Sequence, residues 1–118
     1  YNLLMRELIA AKSILDNTLL KARESHAKRI RSLQLAVGEI AELNQDVIRE
    51  HWDRLSHGTP AEHARLDFRL IQAEVQCMAC FQKYHPQHGE IHCPYCGSYG
   101  AKILAGEEFF LESIELES

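Results

Sequence analysis

The chain predicts an α+β fold, two helices on a three-stranded sheet with an inserted four-cysteine zinc-ribbon lobe. Three observations carry that expectation. Apolar residues recur at helical steps in two segments. They alternate with polar residues in three others. All four cysteines fall between the second and third of the alternating segments. With 46% apolar and 25% charged residues in 118, the balance is that of a soluble globular chain. No apolar run approaches the roughly 20 residues that cross a bilayer, so no membrane insertion and a cytoplasmic location are expected.

Residues 3–24 read as the first helix. Leu4, Leu8, Ala11, Leu15, Leu19 and Ala22 form one stripe at steps of three and four. In RSLQLAV, Leu33, Leu35 and Val37 alternate with Ser32, Gln34 and Ala36, the period of a half-buried strand that Gly38 ends. LNQDVIREHWDRLSHG reads as the second helix, N-capped by Asn44 and stopped near Gly58, with Val47, Ile48, Trp52 and Leu55 facing inward. ARLDFRLIQAEVQ is the second strand. Its phase slips at Ile71, where Ala73 and Val75 take over, so a bulge or an exit from the sheet is expected there. Near the end Ile114 and Leu116 alternate with glutamates and serine as a third strand. A lone strand is unstable, so this one is expected to return to the first two. The expected division is residues 1–74 plus 106–118 for the α+β domain and 75–105 for the metal lobe.

The inserted segment holds Cys77-x2-Cys80 and Cys93-x2-Cys96. A C-x-x-C turn places two thiolates on one side of a tight loop, and two such turns face each other around a tetrahedral ion with four sulfur ligands. Zinc suits that donor set best; rubredoxin-like iron or an iron–sulfur cluster is the alternative, and a redox dithiol needs only one pair. Four thiolates leave no coordination position for water or substrate, so the expected zinc is structural. A lobe this small needs such a staple. His85, His88 and His92 lie in or beside the loop between the pairs. They read as solvated polar side chains, or else as outer support for the metal or a weak extra contact to it.

Charge is uneven. Residues 1–60 carry nine Lys and Arg against eight Asp and Glu, and residues 61–118 carry four against nine. The acidic cysteine half argues against a nucleic-acid partner. The local cluster Lys21, Arg23, Lys28, Arg29 and Arg31 reads as a solvated helix end and turn. No G-x-S-x-G, phosphate-binding glycine loop or H-E-x-x-H is present. The carboxylates fall on expected exposed faces, so enzymatic chemistry is not expected.

Taken in order, the motifs resemble the HypA/HybF family of nickel metallochaperones. MREL at 5–8 is similar to the family's opening M-H-E-L, and LQLAVGEIAEL at 33–43 to its first strand and V-G turn. SHGTPAEHARLDF at 56–68 is similar to its G-T-x-x-E-x-A-x-L segment. The paired cysteines and the closing GEEFFLESIEL at 106–116 follow in the family's order. The resemblance implies a nickel lobe, a structural Zn2+ and transiently held Ni2+. It implies delivery by docking, with a nickel-chaperone GTPase and a hydrogenase large subunit as partners. It places the nickel motif at Arg6 and Glu7. The family's histidine position is Arg6, whose guanidinium offers no lone pair to a metal. Two readings follow: a nickel-delivery accessory protein for hydrogenase maturation, or a relative that has lost nickel and serves as a zinc-bearing assembly factor or subunit of a larger complex.

Overall fold

Helix α1 occupies Leu4–Glu24, uninterrupted by Gly or Pro, with Glu7 in its first turn and Lys21 and Arg23 in its last, each complementing the helix dipole. The structure is a computed structural model that describes residues 4–87 and 92–118, apart from the side chain of Leu4. The expected helix start at residue 3 and His88 lie outside the described residues. Along α1 the buried side chains are Glu7, Ala11, Ile14, Leu15, Thr18 and Ala22. This face is turned from the expected stripe, and Leu8 and Leu19 lie only at its margin. The expectation that the carboxylates sit on exposed faces fails at Glu7, which is 4% exposed.

Strand β1 spans Arg29–Gly38, longer than the expected RSLQLAV at 31–37. Ile30, Ser32 and Ala36 are buried along with Leu33, Leu35 and Val37. The expected half-burial fails: β1 is the middle strand of its sheet, and both of its faces are covered, Ser32 and Ala36 included. Helix α2 is Gln45–Leu55. The Asn44 side chain caps it by accepting from the amides of Asp46 at 2.9 Å and Val47 at 3.1 Å. Such a cap is worth about 1 kcal/mol. The helix ends at Ser56, whose amide still donates to the Trp52 carbonyl, two residues before the expected stop at Gly58. Ile48 and Trp52 are its buried residues; Val47 and Leu55 are half-buried.

Strand β2, Arg65–Ile71, ends at the expected phase slip. The chain then leaves for a second sheet made of β3 (Glu74–Cys77), β4 (Lys83–Tyr84) and β5 (Ala101–Ala105). Strand β6, Phe109–Glu117, returns to the first sheet, whose order is β2-β1-β6; the second is β4-β3-β5. In the second sheet all pairings are antiparallel, with Val75 opposite both Tyr84 and Ile103 and an irregularity between Glu74 and Val75.

The chain divides into two compact units, Tyr1–Ala36 with Leu43–Arg69 and Phe109–Ser118, and Val37–Glu42 with Leu70–Glu108. In the first unit Ile14, Leu15, Ala22, Ile30, Leu33, Leu35, Trp52, Ala61 and Leu66 form one apolar cluster. Full burial of each large member is worth about 1.5–3 kcal/mol. Arg49 lies 4.9 Å from the Phe68 ring centre, and Arg69 forks onto the Glu112 carboxylate. The second unit takes in residues 37–42, 70–74 and 106–108 as well as the expected lobe. Backbone bonds explain why: the Gly38 amide donates to Glu108, Ile40 to Gly106 and Glu39 to Ile71. Gly38 permits this approach, since a Cβ there would overlap the Gly106 carbonyl and come within 2.7 Å of the Glu107 nitrogen.

Candidate metal centre

Each cysteine pair sits in a turn with the same backbone bonds. In the first, the Cys77 amide donates to the Gln82 carbonyl at 3.0 Å and the Phe81 amide to the Cys77 carbonyl at 3.0 Å. In the second, Cys93 donates to Ser98 at 3.0 Å and Gly97 to Cys93 at 2.9 Å. The residue after the second cysteine of each pair, Phe81 or Gly97, carries the left-handed conformation, with φ of 64° and 79°. Inside the first turn the amides of Ala79 and Cys80 point at the Cys77 sulfur, at 3.3 and 3.5 Å.

The turns converge. All four Sγ atoms lie within 4.8 Å of one another. Cys77 and Cys96 are 3.6 Å apart, Cys80 and Cys93 3.7 Å. These separations exceed a disulfide bond of about 2.05 Å. They match the edge of about 3.8 Å expected for a tetrahedron with zinc–sulfur bonds of about 2.3 Å. Four thiols converging this closely, with two edges near that length, form a donor set that fits one divalent ion.

The thiols respond to their neighbours in opposite ways. The Ser98 hydroxyl and amide hold Cys96 down to about 6, and the amides of Cys80 and Ala79 lower Cys77. The Gln82 amide pulls Cys80 down, but burial and the adjacent thiols outweigh it and push Cys80 up to about 12. Four sulfurs this close cannot all ionise without a cation among them, so bound metal and full deprotonation go together.

Cys77 and Cys93 are buried, Cys80 half-buried and Cys96 exposed. Together with Val75 and Tyr84 the two buried cysteines form the apolar cluster of this unit. The Nδ1 atom of His85 lies 2.8 Å from the Ala73 carbonyl oxygen. A carbonyl can only accept, so Nδ1 carries the hydrogen. The His92 ring lies 5.1 Å from that of Tyr99, tilted by 40°.

Arg6 and Glu7, the positions at which the family resemblance expects the nickel motif, lie in the other unit. Glu7 is buried, and its Oε1 accepts from the Asn44 amide at 3.1 Å; Oε2 is also buried and has no hydrogen-bond partner among the described residues. Arg6 is half-buried beside a groove of about 350 Å³ shared with Ile9, Ala10, Ser13, Leu43 and Phe109. The tie between Glu7 and the start of α2 is absent from the sequence-based expectations. Its only sequence signal is the spacing of Glu7, Ala11, Ile14 and Thr18, a helical face as regular as the expected one.

A family model described as hydrogenase/urease nickel incorporation, metallochaperone, hypA matches residues 5–116. A hydrogenase maturation factor HypA from Dehalococcoides mccartyi strain 195 is 35% identical over 113 residues, covering 96% of this chain and 95% of that one. A solution structure of a HypA protein shares the fold with a TM-score of 0.72 at 21% identity, over 95% of this chain and 96% of the other. The solution structure of the nickel metallochaperone HypA from Helicobacter pylori gives 0.67 at 19% identity, over 95% and 97%. The family match across nearly the whole length, on a fold that carries its four cysteines as one cluster, places this chain in the HypA family of hydrogenase maturation factors and nickel metallochaperones.

Proposed function

We propose that the chain delivers nickel to a hydrogenase-type client by docking, as a non-catalytic carrier in the cytoplasm. Its contacts on this reading are a nickel-chaperone GTPase and the client's large subunit. Cys77, Cys80, Cys93 and Cys96 would hold one structural zinc, which supplies folding energy to the smaller unit and no chemistry. The observation that carries the zinc assignment is the convergence of all four sulfurs within 4.8 Å of one another, a donor set that leaves no place for substrate. The division into an α+β domain and a zinc lobe follows from the same reading.

Arg6 and Glu7 occupy the nickel-motif positions. Arginine cannot ligate, and Glu7 has one oxygen engaged by the Asn44 amide and one left over. A single carboxylate oxygen is a poor nickel ligand beside an imidazole. The motif therefore bears on nickel only weakly in this chain, and that observation keeps the zinc-bearing assembly-factor reading as the competitor. Metal analysis followed by nickel titration calorimetry separates the two. One zinc per chain and a further equivalent of nickel are expected for a carrier. Zinc alone, with client binding intact, would overturn nickel delivery and leave the assembly factor.

A further inference from the structure

A nickel carrier whose motif histidine is replaced by Arg6 needs imidazole nitrogen from elsewhere, and the described histidines differ sharply in what they can offer. His51 receives the Arg54 guanidinium at Nδ1, 2.7 Å away, and its Nε2 is buried. His57 faces the Glu62 carboxylate at 2.6 Å. His63 lines a cavity with Arg29, Arg31, Glu62 and Glu117, whose carboxylates are already engaged by His57 and Arg31. His85 and His92 are different, because both line one cavity of about 180 Å³, walled by Pro86 and Pro94.

The tie from His85 to the Ala73 carbonyl decides its tautomer. With the hydrogen on Nδ1, the lone pair of the neutral ring is left on Nε2. Metal-ligating histidines are commonly fixed in this way, the second nitrogen donating to a carbonyl so that the first is aimed and made more basic. His92 faces the same space with its ring steadied against Tyr99.

We propose that His85 and His92 form a second, open metal site in the smaller unit, which takes a borderline divalent cation through two imidazole nitrogens. The inference rests on the carrier reading for the cation's identity, nickel. Two protein nitrogens leave the remaining coordination positions to water or to an incoming ligand. Such a site holds its ion more weakly than the four thiolates hold theirs, and exchanges it more readily. Imidazole suits nickel, copper and zinc alike, so the site selects by donor type and not by a closed geometry.

The test uses the full chain with its cysteine site filled by zinc, titrated with nickel chloride in a calorimeter. The parent is compared with the His85→Ala/His92→Ala double variant and with His85→Asn. The asparagine amide places an N–H where Nδ1 meets the Ala73 carbonyl and lacks the imidazole donor at Nε2, so it separates coordination from the tether. Amide NMR spectra of the zinc forms establish that the variants fold as the parent does. Nickel affinity is expected to fall about tenfold or more in both variants, with zinc remaining at one per chain. If the parent binds nickel and both variants bind it equally well, the two-histidine site is overturned while nickel delivery stands. If the parent binds no nickel beyond its zinc, both fall.

Discussion

The α+β unit buries Trp52, Leu33, Leu35 and Leu66 in a single apolar cluster, whereas the smaller unit buries Val75 and Tyr84 together with two cysteines of its own cluster, Cys77 and Cys93. The first core is complete with side chains alone. In the second, half the buried members are thiols that cannot all ionise side by side without a cation. The contrast teaches that one chain can rest on two sources of stability, and that the two should fail under different treatments.

The largest expected effect is selective loss of the smaller unit. Chelation, or replacement of Cys77 and Cys80 by serine, removes metal-binding free energy of about 10–16 kcal/mol. Amide NMR signals of residues 70–108 should collapse while those of α1 and α2 stay dispersed. Retention of both sets would break the comparison. The reciprocal change is Trp52→Ala, which leaves a cavity in the larger core. It should cost about 3–5 kcal/mol in denaturant unfolding of that unit, with zinc content unchanged.

A finer comparison lies within the metal centre. The two cysteine turns are alike in their backbone bonds, but Gly97 takes the left-handed position in one and Phe81 in the other. Phe81 is 66% exposed, so its ring gives little burial in return for the strain. Phe81→Gly should stabilise the metal-bound lobe by about 0.5–1 kcal/mol, and Gly97→Ala should destabilise it by about 1 kcal/mol. Thermal unfolding of the zinc form measures both, and equal signs would show that the turns are not equivalent.

The smallest effect is electrostatic. The Arg69 guanidinium, bonded to Glu112, holds that carboxyl below its ordinary range. Because the folded value is the lower one, the pair's stabilisation is present above the ordinary carboxylate range. It is lost as pH falls through the folded value. Glu112→Gln should flatten the acid limb of the larger unit's stability curve slightly, and an unchanged limb would count against the pair.

Sequence made some of this legible because the chemistry is local. Asn44 caps α2 through its own next residues, the two C-x-x-C pairs carry their spacing on the page, and the phase slip at Ile71 marks a real change of sheet. Other features depend on tertiary partners. Strand β4 is two residues long and exists only as a neighbour of β3, so no periodicity could announce it. The inward face of α1 is hard to place because Leu4, Leu8 and Leu19 outweigh Glu7 and Thr18 in any apolar count, yet Glu7 reaches the Asn44 amide and Thr18 is fully buried. Convergence of the four sulfurs needs both turns to be built before it can be seen.

That convergence has a consequence on the proposed reading of a structural zinc beside a transient nickel. Nickel(II) readily takes flat coordination, and zinc has no such preference. Sulfurs held by two backbone-bonded turns would resist rearrangement toward a flat site, so the two ions would compete for them on unequal terms. On that reading the carrier's own scaffold is guarded against capture by the cargo it moves.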